Sequence, residues 1–131
     1  MPKSPVPEDL LKSGSEWGNQ AALFLWAQIN QKKYPELKWL FAIPSGGLRD
    51  KITAGRMKAA GTKVGIPDLF LPIKRGPYSG LWIELKVKKN KPSPEQLEWI
   101  TCLQSQGFGA MVCVGFQEAR DNLIKYLEWK N

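Results

Sequence analysis

Two short apolar runs, Asp68-Leu69-Phe70-Leu71-Pro72 and Leu81-Trp82-Ile83-Glu84-Leu85-Lys86-Val87, flank Arg75-Gly76-Pro77-Tyr78-Ser79-Gly80. The outer runs have strand chemistry and the segment between them has turn chemistry, so the stretch predicts a β-hairpin. A turn centred near Gly76 sets Asp68 opposite Glu84 in the antiparallel pair. Two carboxylates placed opposite one another repel in an ordinary sheet. A divalent cation between them removes that penalty, because hard cations such as Mg²⁺ take oxygen ligands. Side chains alternate along a strand, so Glu84 and Lys86 project on one face and Leu85 on the other. The arrangement therefore sets an ammonium beside two carboxylates, with the Leu85 backbone carbonyl as a further oxygen ligand.

That grouping suits phosphodiester hydrolysis. A bound cation activates water and neutralises charge that builds on the phosphate, while a lysine holds the nucleophile or the pentacovalent state. Glu-x-Lys alone reads equally well as a surface ion pair, and Pro67-Asp68 alone as a turn. Together, inside a hairpin of this length, they are far more specific. The chain has no histidine, which excludes Ser-His-Asp and Cys-His triads, His-ligated zinc and a histidine general base.

Working outward, residues 1–12 hold three prolines and mixed charge and predict a loose N-terminal arm, leaving 13–131 as one domain. Ser13 or Ser15 caps a helix from about Glu16 to Lys33, with Ala21, Ala22, Leu25, Trp26 and Ile29 on its apolar side and Glu16, Gln20 and Ala27 opposite. Leu37 to Ile43 is rich in strand formers and stops at Pro44. Ser45-Gly46-Gly47 is a turn, and Lys51 to Ala60 a short basic helix closed by Gly61. After the hairpin, Ser93-Pro94-Glu95-Gln96 starts a helix, with Ser as cap, Pro at the first position and Gln completing a capping box. Ala110 to Val114 predicts a buried strand and Glu118 to Trp129 a final amphipathic helix. The order α-β-α-β-β-α-β-α fits an α/β domain with a mixed sheet of about four strands flanked by helices.

The net charge of +7 in 131 residues points to a polyanionic partner. Residues 45–92 carry the whole surplus, eleven bases against Asp50, Asp68 and Glu84. The Gly46-Gly47 loop with Arg49, Lys51, Arg56 and Lys58 lacks phosphate-loop spacing, so a nucleotide cofactor is disfavoured and a wall against a DNA backbone suits it better. Lys88, Lys89 and Lys91 follow the second strand directly and are placed to hold substrate phosphates. Cys102 and Cys113 are too few for a disulfide framework and are expected to be reduced and buried. With no apolar run long enough for a targeting segment or membrane span, the expected location is the cytoplasm of a bacterial or phage-infected cell. The six tryptophans are expected mostly in the core or at an interface.

Gly65-Ile66-Pro67-Asp68, Ile83-Glu84-Leu85-Lys86 and Ser93-Pro94-Glu95-Gln96-Leu97-Glu98-Trp99 resemble the PD-(D/E)XK nuclease superfamily, and more narrowly its virus-type replication-repair nuclease (VRR-NUC) domain. Ile43-Pro44-Ser45-Gly46-Gly47 with Arg49, and Lys58 with Gly61, match that family's glycine loop and the helix after it, although Ser45 stands where an asparagine is usual. The resemblance extends from about Glu16 to Leu127. It implies a restriction-endonuclease-like core, with Asp68, Glu84 and the Leu85 carbonyl as ligands of Mg²⁺ or Mn²⁺ and Lys86 acting on the attacking water. It further implies that Gln96 helps order the site, against its plainer reading as a capping residue, and that Glu16 is the first-helix acid, against an ordinary exposed helix-start glutamate. Ser45, Gly46, Gly47, Arg49, Lys51, Arg56 and Lys58 with Lys88, Lys89 and Lys91 would line the DNA path. Stand-alone members resemble homodimeric resolvases of four-way (Holliday) junctions in replication and repair, with the first helix as the expected dimer surface. The alternatives are a monomeric flap, nick or single-strand nuclease, and a non-catalytic basic DNA-binding module.

Overall fold

A four-stranded sheet carries the site at one end of its central strands. The computed structural model describes residues 4–44 and 51–130. Its elements are α1 (Glu16–Ile29), β1 (Phe41–Ala42), α2 (Lys51–Ala59), β2 (Leu69–Leu71), β3 (Leu81–Lys86), α3 (Pro94–Ser105), β4 (Gly109–Val114) and α4 (Phe116–Leu127). The strands lie in the order β1-β2-β3-β4. The first three are antiparallel, while β3 and β4 are parallel and joined through α3. This is the expected α/β architecture, a mixed sheet flanked by helices.

Alternation sorts the strand residues onto two faces. Leu69, Leu71, Leu81, Ile83, Leu85 and Cys113 enter the main core with Ala22, Leu23 and Trp26 of α1 and Phe116, Ala119 and Leu123 of α4. Each fully buried aliphatic side chain contributes roughly 1.5–3 kcal/mol. On the other face Trp82 and Val112 pack with Ile100, Leu103 and Ala110 beneath α3. Phe70 stacks on Trp82 with ring centroids 4.2 Å apart. Glu84 and Lys86 belong to this second face by parity, just beyond the apolar patch.

The hairpin register is the expected one: Leu69 pairs with Ile83, Phe70 with Trp82 and Leu71 with Leu81. One further step along that register sets Asp68 opposite Glu84. The turn itself is tighter than the strands require, with Arg75 and Tyr78 bridging around Gly76-Pro77 and Gly76 at φ +52°.

Several local expectations change. α1 ends at Ile29 because Asn30 caps it, its backbone and side-chain N–H groups both donating to the Trp26 carbonyl. Pro35–Trp39 forms a 3-10 turn rather than strand, which shortens β1 to two residues. Pro35 pre-sets the helical φ, and Leu37 and Leu40, three apart, are the residues that bury. Pro7–Leu11 is a 3-10 turn, not a loose arm, with Pro7 buried and Leu10 and Leu11 against the core. The buried face of α1 is also rotated from the expected one, taking in Asn19, Leu23 and Ala27 and leaving Ile29 exposed. Cys113 is buried but Cys102 is exposed. Of the tryptophans, Trp26 is core, whereas Trp17, Trp39 and Trp129 are exposed.

Candidate metal centre and active site

Four elements converge on one point. Ser15 starts α1 by accepting the Gly18 N–H on its hydroxyl at 2.9 Å, which places Glu16 in the first turn. Asp68 immediately precedes β2, and its carbonyl accepts the Ile43 N–H at 2.7 Å. β3 supplies Glu84 and Lys86. The first turn of α3 supplies Gln96. Carboxylate oxygens of Glu16, Asp68 and Glu84 all lie within 4.8 Å of one another.

Hydrogen bonds within the chain hold these side chains in place. Asp68 Oδ2 accepts the Leu85 N–H at 2.8 Å, which locks the Asp68 rotamer across the end of the sheet. The N–H and C=O of one residue leave a strand on the same edge, so the Leu85 carbonyl also faces the Asp68 edge, past the end of β2 pairing. Glu84 Oε2 accepts the Gln96 side-chain N–H at 2.9 Å and lies 3.4 Å from the Lys86 ammonium. Gln96 Oε1 meanwhile accepts the Ser93 N–H at 2.8 Å, and the Ser93 hydroxyl accepts the Gln96 N–H at 3.2 Å. Gln96 is engaged at both ends: its oxygen closes a capping box while its nitrogen donates to the buried Glu84 carboxylate.

Glu84 is 1% exposed, yet its Oε1 has no hydrogen-bond partner among the described residues. A buried, unpaired carboxylate oxygen is costly. Burial, then the charge of Asp68, push the Glu84 carboxyl up to about 8 against the opposing pull of Lys86. Burial likewise raises the Glu16 carboxyl, with Lys86 pulling it down and Asp68 pushing it up. Three acids that repel across less than 5 Å, one with an orphaned oxygen, match the donor set of a hard divalent cation. The residues therefore fit a metal ion: Asp68, Glu84 and Glu16 by their side chains, with the Leu85 carbonyl beside them.

The VRR-NUC domain profile matches residues 15–117, a span that contains Glu16, Asp68, Glu84, Lys86 and Gln96. The chain belongs to the VRR-NUC domain family. A solved structure described as a VRR_NUC domain protein has the same fold, with a TM-score of 0.72 and 25% sequence identity over 99% of this chain and 94% of that one. No curated protein matches. Membership makes the chain a nuclease-type domain with DNA as its substrate class. Among the described residues no helix is long and apolar enough to cross a membrane.

The basic residues of this VRR-NUC domain divide by position. Lys58 lines a cleft of about 700 Å³ that opens on Asp68 and Gln96, together with Lys63, which sequence reading passed over. Arg56 is exposed on α2 outside that lining, and Lys88, Lys89 and Lys91 are exposed after β3. Ser45, Gly46, Gly47 and Arg49, and the Lys51 side chain, lie outside the described residues. Asn19 is the other residue missed. Buried in α1, it donates to the Ser15 carbonyl at 2.9 Å, and its Oδ1 accepts the Phe116 N–H at 2.8 Å. It thereby caps α4, whose own cap position is Gly115, and ties the helix bearing Glu16 to the helix packed beside it on the same face of the sheet. An asparagine within an apolar helix was the only sequence signal.

Proposed function

We propose that this chain is a metal-dependent endodeoxyribonuclease that cuts four-way DNA junctions as a homodimer, using Mg²⁺ or Mn²⁺. The observation that carries the reading is the buried Glu84 carboxylate, with one oxygen held by Gln96 and Lys86 and the other unpaired beside Asp68 and Glu16. Asp68, Glu84, Glu16 and the Leu85 carbonyl hold the cation. When bound, it supplies Lewis acidity, activating water near neutral pH and offsetting charge on the scissile phosphate. Lys86, largely buried with its ammonium against Glu84, orients the attacking water and stabilises negative charge as the phosphorus becomes five-coordinate. Gln96 keeps Glu84 in the one rotamer that serves both. Lys58, Lys88, Lys89 and Lys91 hold the DNA backbone without reading sequence, joined by Arg56, Lys51, Arg49 and the Ser45-Gly46-Gly47 loop.

A dimer suits a junction cutter because two sites related by a two-fold axis nick opposed strands symmetrically. The outer side of α1 offers a surface for it: Trp17, Ala21, Leu25 and Ile29 recur every four residues, and Trp17 and Ile29 are 73% and 55% exposed. Cleavage of end-labelled four-way junctions tests the whole reading. Wild type cuts only with Mg²⁺ or Mn²⁺, and Asp68→Ala and Lys86→Ala each abolish cutting while still binding DNA. Cutting of flaps with junctions left intact would replace the junction with a flap substrate. Binding with no cutting in any divalent metal would reduce the protein to a DNA-binding module.

A further inference from the structure

The cleft beside the metal centre has the wrong chemistry for a continuous duplex. Its volume is about 700 Å³ and Asp68 and Gln96 form part of its wall, so whatever enters it lies against the reacting phosphate. The remainder of the wall is mostly apolar, with Ile43, Met57, Val64 and Ile66 prominent, and its cations are Lys58 and Lys63. Duplex DNA shows a protein its phosphates, sugars and base edges, while the flat faces of the bases stay hidden in the stack. None of those polar surfaces matches Ile43, Met57 and Ile66. A base that has left the stack does match them: its π-face packs on aliphatic side chains and on the polarisable Met57 sulfur, and its flanking phosphates meet the two lysines. Cavities of this size take a ligand as large as a nucleotide.

The apolar wall is held in fixed register with the metal centre. Trp99 Nε1 donates to the Val64 carbonyl at 3.1 Å. Gly65, at φ +92°, lies so close to the Glu95 backbone that a Cβ would approach to 2.8 Å. Pro67 is fully buried next to Asp68. The loop is thus pinned to the first turn of α3, the turn that presents Gln96, and it leaves Val64 76% exposed toward an incoming ligand.

We propose that this cleft receives an unstacked nucleotide adjoining the scissile phosphate, and that the need for one selects branched DNA. The proposal rests on the nuclease reading of the metal centre. Extracting a base from a continuous duplex costs a few kcal/mol of pairing and stacking, and the cost is least where the base is already unpaired or at a discontinuity in the stack. A branch point supplies such bases. Structure selectivity then follows from the cost of unstacking.

Four-way junctions carrying 2-aminopurine at each branch position test this directly. Lys86→Met with Mg²⁺ provides a bound, uncut complex, and fluorescence at one or more branch positions rises as the base leaves the stack. Ala54→Trp, made on an exposed cleft-lining position of α2, fills the cleft without entering the core. It removes the fluorescence rise and lowers junction cleavage on the order of tenfold or more, because the unstacked base loses its place beside the scissile phosphate. Its thermal shift with Mn²⁺ stays that of wild type, because no metal ligand is altered. Fluorescence that stays at the free-junction level at every branch position overturns the proposal, as does wild-type cutting by Ala54→Trp. Wild-type protein that cuts nothing in Mg²⁺ or Mn²⁺ defeats the nuclease reading instead, and the fluorescence of the bound junction still decides the cleft.

Discussion

Gln96 divides its side chain between two neighbours: the oxygen caps α3 through Ser93 and the nitrogen holds Glu84. Glu84 is thereby committed to a buried position where its proton matters to stability. In the fold its carboxyl ionises near 8, against 4.5 for an ordinary glutamate. Between those values the folded protein holds a proton that the unfolded chain has lost, so metal-free stability is full below about 4.5 and falls as pH rises through about 8. Wild type in EDTA should therefore lose melting temperature relative to Glu84→Gln between pH 5 and pH 8.5, and Mg²⁺ should restore it at the alkaline end. A flat difference across that range counts against the buried, metal-ready carboxylate. Lys88 presents the opposite kind of residue, an exposed charge in a costly backbone state. It sits at φ +57° in a turn closed by the Asn90 N–H on the Val87 carbonyl, a position that favours glycine. Its side chain runs over Gly14, with Cε 3.2 Å from where a Gly14 Cβ would stand, and it makes no ion pair among the described residues. Left-handed backbone costs a non-glycine residue about 1 kcal/mol. Lys88→Gly should leave stability unchanged or raise it by up to about 1 kcal/mol in urea melts, yet weaken DNA binding and reduce its salt slope by about one. A purely structural lysine would lose stability and leave the slope alone.

Among the elements, α1 shows most clearly what a hydrophobic pattern leaves open. It is apolar nearly all round, so periodicity does not choose a buried side. Gly18 and Asn19 choose it. A Cβ on Gly18 would come within 2.4 Å of the Leu10 carbonyl, so this glycine lets the Pro7–Leu11 turn lie against the helix. Asn19 reaches across to the first N–H of α4. Both contacts join segments far apart or irregular in sequence, and no local spacing announces them. Asn19→Ala strands a buried N–H and should cost about 1–3 kcal/mol in urea denaturation. The loss of junction cleavage should exceed that explained by unfolding, because α1 carries Glu16. The hairpin and the start of α3 behaved oppositely. Turn residues, strand alternation and a capping box are local rules, and they placed Asp68, Glu84, Lys86 and Gln96 within one residue of their observed registers.

At the scale of the molecule, the +7 charge is a local field. Lys58 and Lys63 line the cleft that opens on Asp68, one of three clustered acids, so a surface suited to a polyanion adjoins a centre suited to a cation. On the proposed reading, two such sites on one junction require two chains. Glutamates at the two most exposed apolar positions of α1, Trp17→Glu with Ile29→Glu, should give a monomer by sedimentation with unchanged melting temperature and Mn²⁺ response. Paired nicking of the junction should be lost. A variant that remains dimeric moves the interface elsewhere. The amino-acid order by itself determined the element sequence and the hairpin register that sets Asp68 beside Glu84, because each follows from neighbours within one turn or one strand pair. Only the tertiary structure decided that Glu16 joins Asp68 and Glu84, that Asn19 couples α1 to α4, and that an apolar cleft opens beside the acids. Those contacts span from about 50 to nearly 100 residues of chain. Their formation depends on how helices of ambiguous face pack onto the sheet, which no local pattern encodes.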